Sequence, residues 1–142
     1  PNIRNDILVE VRQVAVMSVN HPLAKKKILE IDDIRQCRLI GSTRNDPSYK
    51  YYKELWKHHK IAANYILQSP FASLTMQMVH SFQALSFNNE LMAKSACKKD
   101  PNLTWRPVNG IGEKTSFYLA LADWQFDSDT HRLVKESFSK IL

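Results

Sequence analysis

Four polar clusters in this chain each follow an apolar run: Asn20-His21, Ser42-Thr43-Arg44, Gln68-Ser69 and Asn88-Asn89. Ser and Thr hydroxyls donate or accept hydrogen bonds, and the Arg44 guanidinium offers a planar fork that matches a carboxylate. A charged hydrogen bond of that kind is worth about 1.5 to 3 kcal/mol when desolvated. Such groups recognise a small polar or anionic molecule without acting on it. Ser42, Thr43, Arg44, Ser69 and Phe71 are therefore the candidate contacts. Three have an ordinary alternative, Ser42 and Thr43 as plain loop chemistry and Ser69 as a helix cap. His21 precedes Pro22, which favours an extended or turn backbone, and reads as a turn residue.

Other chemistries find little support. No G-x-S-x-G elbow marks a nucleophile, so no catalytic residue is assigned. Gly110 and Gly112 lack the third glycine and the following helix of a dinucleotide fingerprint. His58 and His59 are adjacent and point to different faces of a helix, while His80 and His131 have no partner visible in sequence. Cys37 and Cys97 lie far apart without a second ligand at metal spacing, which argues against zinc and against a disulfide framework. No metal and no cofactor are expected.

These clusters must be positioned by a folded scaffold, and 142 residues at 44% hydrophobic suffice for one globular domain, or one lobe and part of another. The formal charge of +6 would suit an anionic partner. Its lysines are scattered, however: Lys25, Lys26 and Lys27 in a turn, Lys98 and Lys99 in a loop, and Lys50, Lys53 and Lys57 on a helix. Direct nucleic-acid binding by this chain is not expected. No apolar run approaches the roughly 20 residues that cross a bilayer, and no export signal opens the chain, so a cytoplasmic protein without a membrane partner is expected. The start at Pro1 suggests a processed chain or a fragment.

Short strands are expected at Val14 to Val19, Arg38 to Gly41, Tyr65 to Leu67 and Ala84 to Phe87, the first continuously apolar as when both sheet faces are covered. Helices are expected at about Asp32 to Gln36, Pro47 to His59 and Pro70 to Phe82. Asp46-Pro47 and Ser69-Pro70 each place a capping side chain before a proline at the first helical position. Tyr52, Leu55, Trp56 and His59 form one core stripe, and Phe71, Leu74, Met78 and Phe82 another. The alternation predicts βαβ units with parallel consecutive strands. Beyond a polar stretch at Ser95 to Asn102, Phe117 to Trp124 reads as a strand. Asp127-Ser128-Asp129 then caps a last helix with Leu133, Val134, Ser137, Phe138 and Ile141 on one face.

The string Val14 to Ile34, VAVMSVNHPLAKKKILEIDDI, resembles the effector-binding region of LysR-type transcriptional regulators: a strand, then His21-Pro22-Leu23-Ala24, then Ile31-Asp32-Asp33-Ile34. Arg38 to Ser42 is similar to the strand that follows in the family. Ser81 and Gln83 stand where that family usually has glycines, and Asn88 where it has proline. The resemblance implies an α/β fold, a three-layer sheet sandwich of the periplasmic-binding-protein type II kind. It would be mainly one lobe, subdomain II, plus a C-terminal strand and helix of the other. It further implies residues 1–11 as a hinge segment, 12–106 as regulatory subdomain II, and 107–142 as hinge and returning strand and helix.

By the same resemblance, the function is sensing of a small-molecule effector in a cleft between lobes, with the loop after Arg38 to Gly41 as one wall. DNA would be contacted only through an absent N-terminal domain, and the regulator would be a homodimer or homotetramer. The chain would not be an enzyme. A solute-binding protein of a transporter with the same fold is the alternative, and an enzyme on this fold is a third reading.

Overall fold

The computed structural model describes residues 2–112 and 114–141. The expected segment ends at Pro1 and Leu142, and the side chain of Ile141, lie outside the described residues. In chain order the elements are β1 (Ile3–Ser18), β2 (Leu29–Glu30), β3 (Arg38–Gly41), α1 (Pro47–His58), β4 (Asn64–Gln68), α2 (Ala72–Phe82) and β5 (Ala84–Asn89). There follow α3 (Glu90–Lys99), β6 (Leu103–Asn109), β7 (Lys114–Ala122) and α4 (Asp129–Ile141). Short 3-10 turns occupy Pro22–Lys25, Ile31–Gln36 and Asp123–Gln125. No described helix is long and apolar enough to cross a membrane.

Two compact units emerge, Arg12–Glu113 and a smaller one formed by Pro1–Val11 with Lys114–Leu142. In the larger unit the strand order is β2-β6-β1-β5-β3-β4. Alternation along β1 explains why this sheet carries a layer on each face. Ala15 and Met17 join the cluster of Leu39, Tyr52, Trp56 and Leu85 under α1. Val14 and Val16 join that of Ile40, Met76, Val79 and Ala93 under α2 and α3. Successive side chains of a strand point to opposite faces, so an unbroken apolar run signals cover on both. All four of these β1 side chains are fully buried.

The parallel arrangement expected throughout holds for β3, β4 and β5, which pair in parallel around β3. It does not hold for β1, which runs antiparallel to both β5 and β6. One consequence decides where a site can be. The C-terminal ends of β3, β4 and β5 share an edge, whereas the end of β1 lies at the opposite edge, because Gln13 and not Ser18 is level with Asn89. Asn20 and His21 therefore do not gather with the other polar clusters.

Helix starts show how side chains set local structure. Asp46 caps α1 by accepting from the Ser48 N–H at 2.8 Å, with Pro47 in the first turn as expected. Ser69-Pro70 behaves differently. The Ser69 hydroxyl accepts from the Phe71 N–H at 3.1 Å, a tight turn that delays the helix until Ala72, and α2 has no side-chain cap. Its core face is Thr75, Met76 and Val79. The expected stripe of Phe71, Leu74, Met78 and Phe82 falls on the flank, and Phe71 is 65% exposed. Met76 and Val79 are also apolar, so hydrophobicity alone could not choose between the two faces. Gln83 ends α2 in the left-handed conformation, φ 48°, that glycine most easily adopts.

Sequence patterning did not reveal α3 or β6. Asn89 Oδ1 caps α3 at the Met92 N–H, and Lys98 and Lys99 sit in its last turn, where cations suit the helix dipole. β6 carries Pro107, which weakens a strand signal. Because β6 pairs as one strand with β1 and β2, the boundary expected at 106/107 falls inside it.

In the smaller unit β7 pairs with β1, and the expected strand to Trp124 gives way after Ala122 to a 3-10 turn. Ser128 starts α4 by accepting from the His131 N–H at 3.2 Å. Asp6 on β1 joins α4 through Lys135 at 2.8 Å and His131 at 2.9 Å, and these two hold its carboxyl below the ordinary value. On the expected apolar face of α4, Leu133 is 55% and Val134 38% exposed.

His21 is buried, and its Nδ1 accepts from the Leu23 N–H at 3.1 Å at the head of the first 3-10 turn. Burial disfavours the charged imidazole and lowers its pKa from the ordinary 6.5. The unfolded chain then binds more protons between the two values. The stability contributed by neutral His21 should be complete above pH 6.5 and fall as pH drops from there toward the folded-state value. Urea midpoints between pH 8 and 5 should show that decline. His21→Asn, which keeps a capping acceptor, should flatten this part of the curve, and an unaltered slope would assign it elsewhere.

Candidate functional site

The edge shared by the ends of β3, β4 and β5 opens into a cleft within the larger unit. Ile40, Gly41 and Ser42 reach it from β3, Ser69 and Pro70 from the end of β4, and Ser86, Phe87 and Asn88 from β5. Helix α1 adds Ser48, Tyr49 and Tyr52 behind its cap Asp46, and α2 adds Ala72 and Thr75. Clefts at the carboxyl ends of parallel strands, near helix N-termini, are where open α/β sheets bind ligands.

Gly41 and Tyr65 set the floor. A Cβ at residue 41 would collide with Tyr65 Cε1, so only glycine lets the ring lie this close to β3. The ring is held from its far end, where the Trp56 indole N–H donates to the Tyr65 hydroxyl at 2.8 Å. Burial pushes the Tyr65 phenol up, and Tyr49 adds to the effect, against the Trp56 hydrogen bond. The hydroxyl thus keeps its proton and can donate it.

Two hydroxyl relays line the walls, and each has a defined direction. Ser48 O–H donates to Asp46 Oδ1 at 2.6 Å, so the 2.9 Å contact between the Ser42 and Ser48 hydroxyls is Ser42 donating to Ser48. On the other wall Thr75 O–H donates to the Ala72 carbonyl at 2.8 Å. Ser86 therefore donates to Thr75 at 3.2 Å, and the Asn88 NH₂ group donates to Ser86 at 2.9 Å. Thr75, Ser86 and Asn88 are all more than nine-tenths buried, where a polar group without a partner costs about 1 to 3 kcal/mol. Satisfying one another makes their burial tolerable.

Ser69 is tied to both strand and helix. Its N–H donates to the Gly41 carbonyl at 3.0 Å and its hydroxyl accepts from Phe71. Because α2 lacks a side-chain cap, the N–H groups of its first turn face the cleft end of the helix without a side-chain acceptor. Asp46 is the charged side chain on the lining, which among the described residues holds no Lys, Arg or His.

Of the residues singled out in sequence, Ser42 and Ser69 line the cleft together. Thr43, Arg44 and Phe71 do not. The Thr43 carbonyl accepts from the Asp46 N–H at 3.0 Å, Arg44 is exposed in the turn before α1, and Phe71 projects outward. Tyr49, Tyr65, Thr75 and Ser86 were not anticipated. The pairing of Ser86 with Asn88 was the readable sign, since two polar residues at alternate positions of a buried strand share one face and must be satisfied there.

Among the described residues no group of three His, Cys, Asp or Glu could hold a metal ion. Cys37 is buried, donates to the Asp33 carbonyl at 3.2 Å, and has its thiol pushed up to about 11 by burial with Asp33 adding to the effect. It has the character of a core residue and not of a reactive thiol.

A mixed α/β sandwich with a cleft at the edge of its parallel strands defines the class, and the solved structures it resembles share the periplasmic-binding-protein type II fold. Residues 1–136 match the family model described as the LysR substrate binding domain, and the chain belongs to that family. It is 29% identical over 86 residues to the transcriptional activator protein LysR of Escherichia coli (strain K12), covering 61% of this chain and 28% of that protein. The effector binding domain of QuiR in complex with shikimate superposes with a TM-score of 0.68 at 17% identity, covering 99% of this chain and 64% of that one. The regulatory domain of CcmR from Synechocystis PCC6803 in complex with 2-PG gives 0.73 at 13% identity, covering 99% and 67%. The chain thus spans under a third of the curated relative and about two thirds of the solved domains.

Gly41→Ala should drive its methyl into the Tyr65 ring and cost about 1 to 3 kcal/mol, as overpacking does. A lowered thermal midpoint together with altered Trp56 fluorescence is expected. An unshifted midpoint would mean that the ring can yield.

Proposed function

We propose that this chain is the effector-sensing part of a LysR-type transcriptional regulator. A small polar or anionic molecule enters the cleft at the ends of β3, β4 and β5, and its occupancy is relayed to a DNA-binding domain outside this sequence. The observation that carries the reading is the pair of hydroxyl relays, one half-buried and one buried, lining a cleft at a parallel strand edge. Family membership supports it, as do relatives whose names specify shikimate or 2-PG as bound molecules. Family membership also favours a regulator over a transporter's solute-binding protein.

In this reading the larger unit is regulatory subdomain II, and β7 with α4 return to subdomain I. Ser42 and Ser69 are effector contacts, with Thr43, Arg44 and Phe71 bordering them. No bond is made or broken. Effector affinity differs between two states of a homodimer or homotetramer in the cytoplasm, and that difference shifts the population that engages DNA.

The test is made on the full-length regulator. A panel of small carboxylates, sugars acids and amino acids is screened by thermal shift, and each stabiliser is titrated by calorimetry. Asn88→Leu removes the amide that starts the β5 relay and should weaken the stabiliser at least tenfold, about 1.4 kcal/mol, while Arg44→Ala should stay within about twofold. Equal affinity in wild type and in both Asn88→Leu and Ser69→Ala would place the effector elsewhere.

A further inference from the structure

Resting on the effector-site reading, we propose that the cleft takes an amine-bearing carboxylic acid of the α-amino acid class and not a purely anionic ligand. Each relay fixes which proton its members have already given away. Ser42 gives its proton to Ser48, which gives its own to Asp46, so Ser42 has only lone pairs left to offer. The relay from Asn88 ends on the Ala72 carbonyl, which fixes the Asn88 amide with its NH₂ on Ser86. The group that Asn88 retains for a ligand is its carbonyl oxygen.

Acceptors therefore accumulate on the β3 and α1 side, as Ser42 Oγ and the Asp46 carboxylate, whose Oδ1 alone is taken by Ser48, while Asn88 Oδ1 adds one from β5. A ligand placed there must bring N–H or O–H donors. With one anionic side chain and no cationic one on the described lining, a positively charged donor is favoured over a neutral one.

The opposite side has the reverse chemistry. Ser69 is buried and its hydroxyl accepts from Phe71, so its proton is available. Next to it Ala72 opens the helix that carries no side-chain cap. A carboxylate would collect these donors. One cleft thus offers acceptors with a negative charge on one wall and donors with a helix N-terminus on the other, the complement of a zwitterion.

The experiment titrates the full-length protein by calorimetry with the twenty proteinogenic L-amino acids, and with the 2-hydroxy acid counterpart and succinate as amine-free probes. Asp46→Asn is tested beside wild type, because asparagine keeps the capping acceptor for Ser48 while removing the charge. At least one amino acid is expected to bind, with its hydroxy counterpart at least tenfold weaker, and Asp46→Asn should reduce that preference to within about threefold. Equal or tighter binding of an amine-free acid, or a preference that Asp46→Asn leaves intact, would overturn the inference while leaving the effector site standing. Failure of every amino acid to bind would overturn it too, and the effector-site reading falls only if the wider panel also yields no ligand of the cleft.

Discussion

The parallel pairing of β4 and β5 on either side of β3 is the constraint from which the site follows. Parallel strands need crossovers, and here the crossovers are α1 and α2. Each strand must then end at the same edge, and each helix must begin there. Three chain segments with no other reason to meet, around Ser42, Ser69 and Asn88, are brought into one lining. The cover on both faces of the sheet buries Thr75, Ser86 and Asn88 at this edge, where hydrogen-bond direction matters.

Burial then dictates the polar chemistry. Thr75, Ser86 and Asn88 could not remain in this interior as isolated groups, and their single chain of donation from Asn88 to the Ala72 carbonyl leaves no alternative orientation for any of them. The aromatic side works by contact. Tyr52, Trp56 and Phe87 have ring centroids 5.2 to 5.8 Å apart, and Trp56 also fixes Tyr65 through its indole N–H. Gly41 is what allows that ring to approach the strand. The cleft lining is thus stiffened by the same residues that form the core under α1.

Much of this could be read from residue order. The strand Arg38–Gly41 and the Asp46-Pro47 helix start were visible because local chemistry alone specifies them. The resemblance carried by the His21-Pro22-Leu23-Ala24 string led to the family that residues 1–136 match. What escaped depends on tertiary context. The antiparallel course of β1, which sends Asn20 and His21 to the far edge, is set by strand pairing and has no local signature. Ser69 looked like a helix cap because Ser-Pro suits one, yet its hydroxyl closes a turn one step earlier. The flanking stripe of α2 cannot be told from its core face by spacing, because both faces are apolar. Tyr49 and Tyr65 were illegible as lining because an aromatic residue facing a core and one facing a cleft have the same spacing.

Polar strand ends gathered at one edge, and therefore one receptor surface, are what everything else assumes. Amide chemical-shift mapping of the protein with a bound effector can locate that surface residue by residue. Perturbations should concentrate at Ser42, Ser69, Ala72, Thr75 and Asn88. A footprint centred instead on Asn20, His21 and Asn102, at the far end of β1, would contradict the placement of the site.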